Sequence, residues 1–270
     1  MAVSPRGETF IRAIDSTGKI KSGAYIADGL NDVINEIGAN NVVQVVMDNA
    51  KNCFLVGRIV NEQYPHIYPT GCNTHSMNLV LKDWYTSEDT TWFANIINMC
   101  RKVVKFILKR QRVLDIYRSR MVCMLKLPAE TRFCTHFYTI ESLIRNKDAV
   151  IETFSCQLFY DWEANEIDAR KRKIFAMCST LNKEKWWRSV VDAYHVMMPV
   201  MYAICAMDQS VANVGKVWMT WWTVQRSLEE PEELKDSLAK PWHKPFSSKN
   251  RKILLAHFHR RWASAHSLPA

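Results

Sequence analysis

A chain of 270 residues, 48% of them hydrophobic, is long enough to bury one large core or two smaller ones. Charged residues at 23% and aromatics at 11% exclude wholesale disorder. The net charge of +9 and a pI of about 9.1 suit a polyanionic partner such as nucleic acid, although lysine-rich solvated faces give the same balance.

With eight glycines and nine prolines, turns are few and elements should be long, which favours helix. The eight cysteines are scattered, form no C-x-x-C pair and follow no secretory segment, so reduced thiols are expected rather than a disulfide framework. The apolar runs read as too short and too interrupted to cross a bilayer, so no membrane partner is expected.

In chain order, Phe10–Ile14 reads as a short strand ending at the turn cluster Asp15-Ser16-Thr17-Gly18. Ile26, Leu30, Val33, Ile34 and Ile37 recur at helical spacing, and Gly38 should stop that helix. Asn41–Met47 is a nearly continuous apolar run of strand length, the pattern of a central strand covered on both faces. A helix from about Asn52 to Gln63, an extended piece at Ile67–Thr70 and a helix from about Cys72 to Trp84 follow. Strand and helix in this alternation indicate a layered α/β sheet.

Beyond Trp84 no β-alternation returns. Phe93, Ile96, Ile97, Cys100, Val103, Val104 and Ile107 form one helical stripe. Further stripes run through Thr139–Leu143, Ile174–Leu181, Trp186–Met207 and Val211–Leu228, and Glu229–Ala239 reads as a short acidic linker or helix. Basic charge is concentrated in the helical part. Nine lysines or arginines and one acid, Asp115, lie between Arg101 and Lys126, and seven with no acid between Lys240 and Arg261. Arg170-Lys171-Arg172-Lys173 is a compact run. Such runs serve as solvated faces or as polyanion-facing surfaces.

Asp48 and Asn49 stand at the C-terminal end of the apolar run, where ligands and metals gather in open α/β sheets. A carboxylate there can join others in holding two divalent ions across a reacting phosphate, and either residue can equally cap the following helix. Cys72 and His75 share one face of a helix start. Zinc would need two further ligands, and no second pair has suitable spacing. Cys134-x-His136 is a poor candidate, which leaves a buried cysteine beside a hydrogen-bonded histidine as the ordinary reading.

Taken together, these segments resemble plant hAT-type transposases. Gly38-Ala39-Asn40-Asn41-Val42-Val43-Gln44-Val45-Val46-Met47-Asp48-Asn49-Ala50-Lys51-Asn52 is similar to the family's G-x-x-N-V-V-Q-V-V-T-D-N-A-x-N segment. The stretch from Tyr64-Pro65 through Cys72, His75, Asn78, Leu79 and Leu81 to Asp83 is similar to its Y-P…C-x-x-H-x-x-N-L-x-L-x-D block. Ser4-Pro5-Arg6-Gly7 through Asp15-Ser16 resembles the preceding strand, Thr131-Arg132-Phe133-Cys134-Thr135 a T-R-F-x-T motif, and Phe258 to Pro269 a segment near the family's C-terminal part.

The resemblance implies an α/β, α-rich fold: an incomplete ribonuclease H-like mixed sheet over residues 1–88, then an all-helical insertion over 89–270. It implies ancestral cut-and-paste transposition with three acids and magnesium or manganese. Asp48 matches the second acid and would be the metal ligand of a complete site. Asn49, Cys72 and His75 match a motif near the active site. Arg132 and Phe133 match an arginine–aromatic pair that can contact DNA at an unpaired base, with core packing the alternative for Phe133.

The family's first acid precedes the Ser-Pro-Arg-Gly turn, where this sequence has only Met1-Ala2-Val3, and its third lies beyond the segment matched here. Glu229, Glu230, Glu232 and Glu233 fall in a region with no matching motif. The expectation is a transposon-derived, catalytically inactive pseudoenzyme, nuclear (or cytoplasmic if a relic), needing no cofactor and keeping weak, non-specific DNA binding. Arg101, Lys102, Lys105, Lys109, Arg110 and Arg112 are the expected contacts, with Arg101, Lys105 and Arg112 on one helical face and Lys102 and Lys109 on another. A fragment of an active metal-dependent transposase and a helical protein-interaction module are the alternatives. The missing first strand should leave an open edge beside Val42–Met47. The sequence does not specify an oligomeric state.

Overall fold

The computed structural model describes residues 1–4, 6–129, 132–208, 214–229 and 248–266. Pro5, Thr131, Val211, Pro269, residues 230–239 of the expected acidic linker, Glu230, Glu232 and Glu233, and residues 240–247 of the second basic stretch lie outside them. Contacts group the chain into two compact units. One comprises Met1–Val80, Ala203–Thr223 and Phe258–Ala270; the other comprises Leu81–Tyr202 and Val224–His257.

The first unit is built on two small sheets. Strands β1 (Ala2–Ser4) and β2 (Gly7–Thr9) form an antiparallel hairpin. Strands β3 (Gln44–Met47) and β4 (Tyr68–Gly71) form a parallel pair, with Gln44 opposite Tyr68 and Met47 opposite Gly71. The two pairs do not join, so the expected single mixed sheet is replaced by two separate sheets of two strands. Phe10–Ile14 is not a strand: the residues that pair lie just before it, and Phe10 and Ile14 are exposed.

Between the strands, helix α1 (Gly23–Ile37) starts at Ser22, whose hydroxyl accepts from the Tyr25 amide, and ends at Gly38 with φ of 90°. Helix α2 (Lys51–Gln63) packs against α1 and β4. Its Gly57 lies so near Pro69 that an added Cβ would meet the ring at 3.0 Å. The core gathers Ala27 and Ile34 of α1, Val45 of β3, Val56 and Val60 of α2, and Ile67. Only one face of β3 is covered: Val45 is buried, whereas Val46 is 59% exposed. The expected two-sided burial fails because helices pack on one side only, and period-2 alternation follows. Among the described residues β3 pairs with β4 alone, so its other edge has no strand partner.

Helix α3 (Asn73–Thr86) leads into helices, and the described residues contain no strand after Gly71. The chain is therefore α-rich, with small sheets. In α4 (Thr91–Leu108) all seven residues of the predicted stripe are buried. The later stripes fall on α6 (His136–Arg145), α9 (Asp168–Leu181), α10 (Glu184–Met207) and α11 (Val214–Glu229), interleaved with α5 (Gln111–Arg118), α7 (Lys147–Ser155) and α8 (Gln157–Ala164) and followed by α12 (Ser248–His266).

The expectation that every apolar run is too short to cross a bilayer does not hold for α10. Helix α10, at 24 residues, is long and apolar enough to cross a bilayer by length and composition. Its periodic apolar residues Trp187, Val190, Val196, Met197 and Val200 are nevertheless buried against protein, and a well-packed core helix passes the same length test. All eight cysteines are free thiols.

Candidate functional site

The parallel pair β3–β4 ends in a small polar constellation. Met47 O accepts the Cys72 amide at 2.6 Å, which holds the strand ends together and sets Asp48 and Asn49 beside the start of α3. Asn49 turns inward. Its Nδ2 donates to the buried Ser76 hydroxyl at 2.6 Å and approaches the Cys72 carbonyl at 3.4 Å, while Ser76 donates to that carbonyl at 3.2 Å. This closed knot joins the strand end to the first turn of α3. Asn49 Oδ1 is buried without a hydrogen-bond partner, and an added Cβ on Gly71 would come within 2.1 Å of it.

Asp48 turns outward. Its side chain is 70% exposed, and its nearest ionic partner is His75, whose Nδ1 lies 3.9 Å from Oδ1. That separation exceeds hydrogen-bond distance, and the contact is an ion pair only with the imidazole protonated. The strand-end position predicted for Asp48 is thus observed, and Asn49, Cys72 and His75 gather with it. No group of three or more His, Cys, Asp or Glu side chains among the described residues could hold a metal ion. One carboxylate and one imidazole do not fit a pair of divalent ions, which take oxygen ligands from several elements. Asp15 is spent locally: its Oδ1 accepts from the Thr17 amide at 2.9 Å and the Thr17 hydroxyl at 2.6 Å, and these bonds hold its carboxyl below the usual range.

Sequence reasoning missed Trp221. It is buried, and its indole N–H donates to Asn73 Oδ1 at 3.0 Å, so α11 is anchored beside Cys72 within the same unit. A partner 148 residues away leaves no local signal.

The basic candidates lie in the other unit. Arg101, Lys102 and Lys105 are exposed on α4, and Lys109 is exposed at its end. The helix breaks there. Arg110 has extended backbone, and Arg112 belongs to α5, so the face expected to join Arg101, Lys105 and Arg112 does not form. Arg110 does not project outward. Its guanidinium lies 3.9 Å from the Phe106 ring centre, and Nη1 donates to the Phe106 carbonyl at 3.2 Å. Burial, with nearby Arg170 adding to it and Glu166 opposing it, lowers its pKa.

Arg132 is exposed and Phe133 half-buried. Phe133 stacks on His136 at 4.4 Å between ring centres and lies 5.0 Å from Tyr85, whose hydroxyl donates to Asn98 Oδ1 at 2.8 Å. This aromatic packing accounts for Phe133 without a ligand and leaves part of the ring exposed. His136 Nδ1 lies 2.8 Å from the Phe133 carbonyl, so Nδ1 carries the proton, and Nε2 is buried without a partner. Burial, opposed by that carbonyl and reinforced by Arg101, lowers the His136 pKa below its ordinary 6.5.

This makes a pH prediction. The unfolded chain takes up the His136 proton before the folded one, so its contribution to stability is present above pH ~6.5 and is lost as pH falls through the lower folded value. Urea melts between neutral pH and pH ~5 should show a smaller acid-side loss for His136→Asn, whose amide can replace the Nδ1 donor. Equal losses in the two proteins would show that His136 titrates alike folded and unfolded.

No curated protein matches the sequence. Residues 1–103, which carry the β3–β4 pair, the Asp48–His75 constellation and α4 as far as Val103, match the family described as Domain of unknown function (DUF659), a domain found in hAT-like transposases.

Proposed function

We propose that this chain is a transposon-derived protein of the hAT transposase type that binds DNA weakly and without sequence preference and does not itself cut it. Residues 1–88 are read as a reduced ribonuclease H-like core. A strand-end acid, Asp48, beside Cys72 and His75 in a segment matched by a transposase-associated domain is the observation that carries this reading. Asp48 is the vestigial second acid in this reading, and Asn49 has become a structural clip. The constellation supplies one carboxylate where two-metal phosphoryl transfer needs carboxylates from at least two elements around one phosphate. Neutral His75 cannot replace a hard oxygen ligand for magnesium.

DNA contact is assigned to the exposed cations Arg101, Lys102, Lys105, Lys109 and Arg112 and to Arg132, with Arg110 excluded by its contact with Phe106. They would act through counterion release, so affinity falls steeply with salt and is indifferent to sequence. A nuclear location goes with that partner.

One preparation tests both halves. Incubated with duplex DNA and magnesium or manganese, the chain should leave the DNA intact, and its salt-sensitive binding should weaken several-fold in Arg101→Ala/Lys102→Ala/Lys105→Ala. Cleavage that disappears in Asp48→Ala, or binding that survives both high salt and the triple substitution, would overturn the reading.

A further inference from the structure

The parallel pair β3–β4 is incomplete as a sheet. Parallel strands normally lie inside a larger sheet covered on both faces. This pair has one bare face, on which Val46 is 59% and Tyr68 52% exposed. Its two outer edges differ. The Tyr68 N–H donates to the Val43 carbonyl at 3.0 Å and the Cys72 N–H to the Met47 carbonyl at 2.6 Å. Backbone groups of successive strand residues point to opposite edges, so these two bonds set the direction of every residue between them. Gln44 and Val46 turn their N–H and C=O away from β4, and Pro69 and Gly71 turn theirs away from β3.

The outer edge of β4 is closed to a further strand, because Pro69 has no N–H to offer there. The outer edge of β3 is open. Among the described residues nothing accepts from the Gln44 or Val46 amide or donates to their carbonyls. Val43, Gln44 and Val46 are all exposed. Residues 37–47 carry no charge, so no side chain of this edge repels a second strand. Free amides and carbonyls along extended backbone are matched by one kind of ligand, another extended backbone.

We propose that β3 pairs antiparallel with β3 of a second copy of this chain, across a two-fold axis at Val45, and so closes a dimer. The edge is self-complementary about that residue. Gln44 of each copy faces Val46 of the other, and each such pair exchanges both of its N–H···O=C bonds. Every chain that exposes the edge also supplies its match. Val45 is buried on the helix side, so Gln44 and Val46 project together on the bare face, and the glutamine stem of one copy covers part of the other's valine. Asp48, the nearest charge, falls opposite Val42 of the other copy, beyond the paired residues. Pro69 stops growth at the far edge, so the assembly ends at two copies and does not extend into a fibre. The inference goes beyond the DNA-binding reading and uses none of its cations.

The test is sedimentation equilibrium of the full chain, which should give a mass approaching twice the chain's 31.4 kDa at micromolar concentration. Val46→Pro removes an edge amide without touching the bonds to β4 and should leave a monomer. Val46→Lys sets the lysines of the two copies on one diagonal and should weaken association several-fold. Gln44→Glu/Val46→Lys puts opposite charges face to face on both sides of the axis and should restore it. Amide exchange at Gln44 and Val46 should slow as protein concentration rises, while exchange at Val45, already bonded to β4, should not change. The triple substitution of Arg101, Lys102 and Lys105 to alanine should dimerise like the parent, so the two readings can fail separately. A parent that stays monomeric overturns the proposal. So does a dimer that survives both Val46→Pro and Val46→Lys with melting curves like the parent's, which would put the interface elsewhere, and so does association that continues past two copies. If Val46→Pro does not fold, the charge pair decides alone: a double variant no tighter than Val46→Lys rules out this register and the proposal with it.

Discussion

Gly71→Ala should destabilise the first unit by about 2–3 kcal/mol, much more than an alanine usually costs on a short strand. The added methyl would lie 2.1 Å from Asn49 Oδ1, so one of the two must move. A free side-chain end would swing away at little cost. Asn49 cannot, because its Nδ2 is held by the Ser76 hydroxyl and the Cys72 carbonyl, and its own backbone lies two residues beyond the end of β3. Moving it breaks those bonds in a half-buried site and leaves the buried Ser76 hydroxyl with only its contact to Cys72 O. Backbone conformation is not the cause, since Gly71 is not among the positive-φ glycines. A double-mutant cycle separates this account from a general loss of strand propensity. Asn49→Ala alone should cost about 1–2 kcal/mol through the lost bonds, and Gly71→Ala should then add little, because the obstructing oxygen is gone. Additive losses in urea melts of the four proteins would refute the steric account.

This knot also shows where the sequence is readable. Asp48 could be placed at a strand end because an apolar run of strand length stops there, and α4 because its seven apolar residues repeat at helical spacing and all seven are buried. The end of α1 was marked by Gly38, whose positive φ suits a residue without Cβ. The role of Asn49 had no local mark, since it depends on Ser76, 27 positions away. Phe10–Ile14 has strand composition, but a strand exists only through a partner, and the hairpin forms at Ala2–Ser4 and Gly7–Thr9 instead. The valines of Asn41–Met47 read the same in sequence whether one face or both are covered, so the one-sided burial has no local mark. The break after Leu108 carries neither glycine nor proline; Arg110 leaves the helical backbone there and turns back onto Phe106, four residues earlier. The candidate cations were legible as a composition, but their division between α4 and α5 was not. The resemblance located Asp48, Cys72 and His75 together.

Asn146→Ala should cost about 3 kcal/mol and loosen one specific loop of the second unit before the helices give way. Asn146 is buried at the junction of α6 and α7, and every atom of its amide is used. Oδ1 accepts from the Val122 amide at 2.8 Å and the Cys123 amide at 3.1 Å, and Nδ2 donates to the Ser142 carbonyl at 2.7 Å and approaches Cys123 Sγ at 3.1 Å. Ser142 takes the Lys126 amide at 3.0 Å, and the Tyr117 hydroxyl donates to Cys123 O at 2.6 Å, so an irregular segment is fixed by side chains in place of a sheet ladder. Truncation to alanine leaves two loop amides without their acceptor and opens a cavity. Asn146→Asp keeps the acceptor but sets a buried carboxylate against the Ser142 carbonyl, so it should be no less damaging at neutral pH and should recover partly in acid as the carboxyl protonates and regains a donor. Native-state hydrogen exchange gives the deciding readout. In the alanine variant, protection should fall most at Val122, Cys123 and Lys126 while the amides of the α4 stripe keep nearly global protection. A uniform loss across both segments would mean that Asn146 stabilises the helical unit as a whole and that the loop is not a separate element clipped onto it.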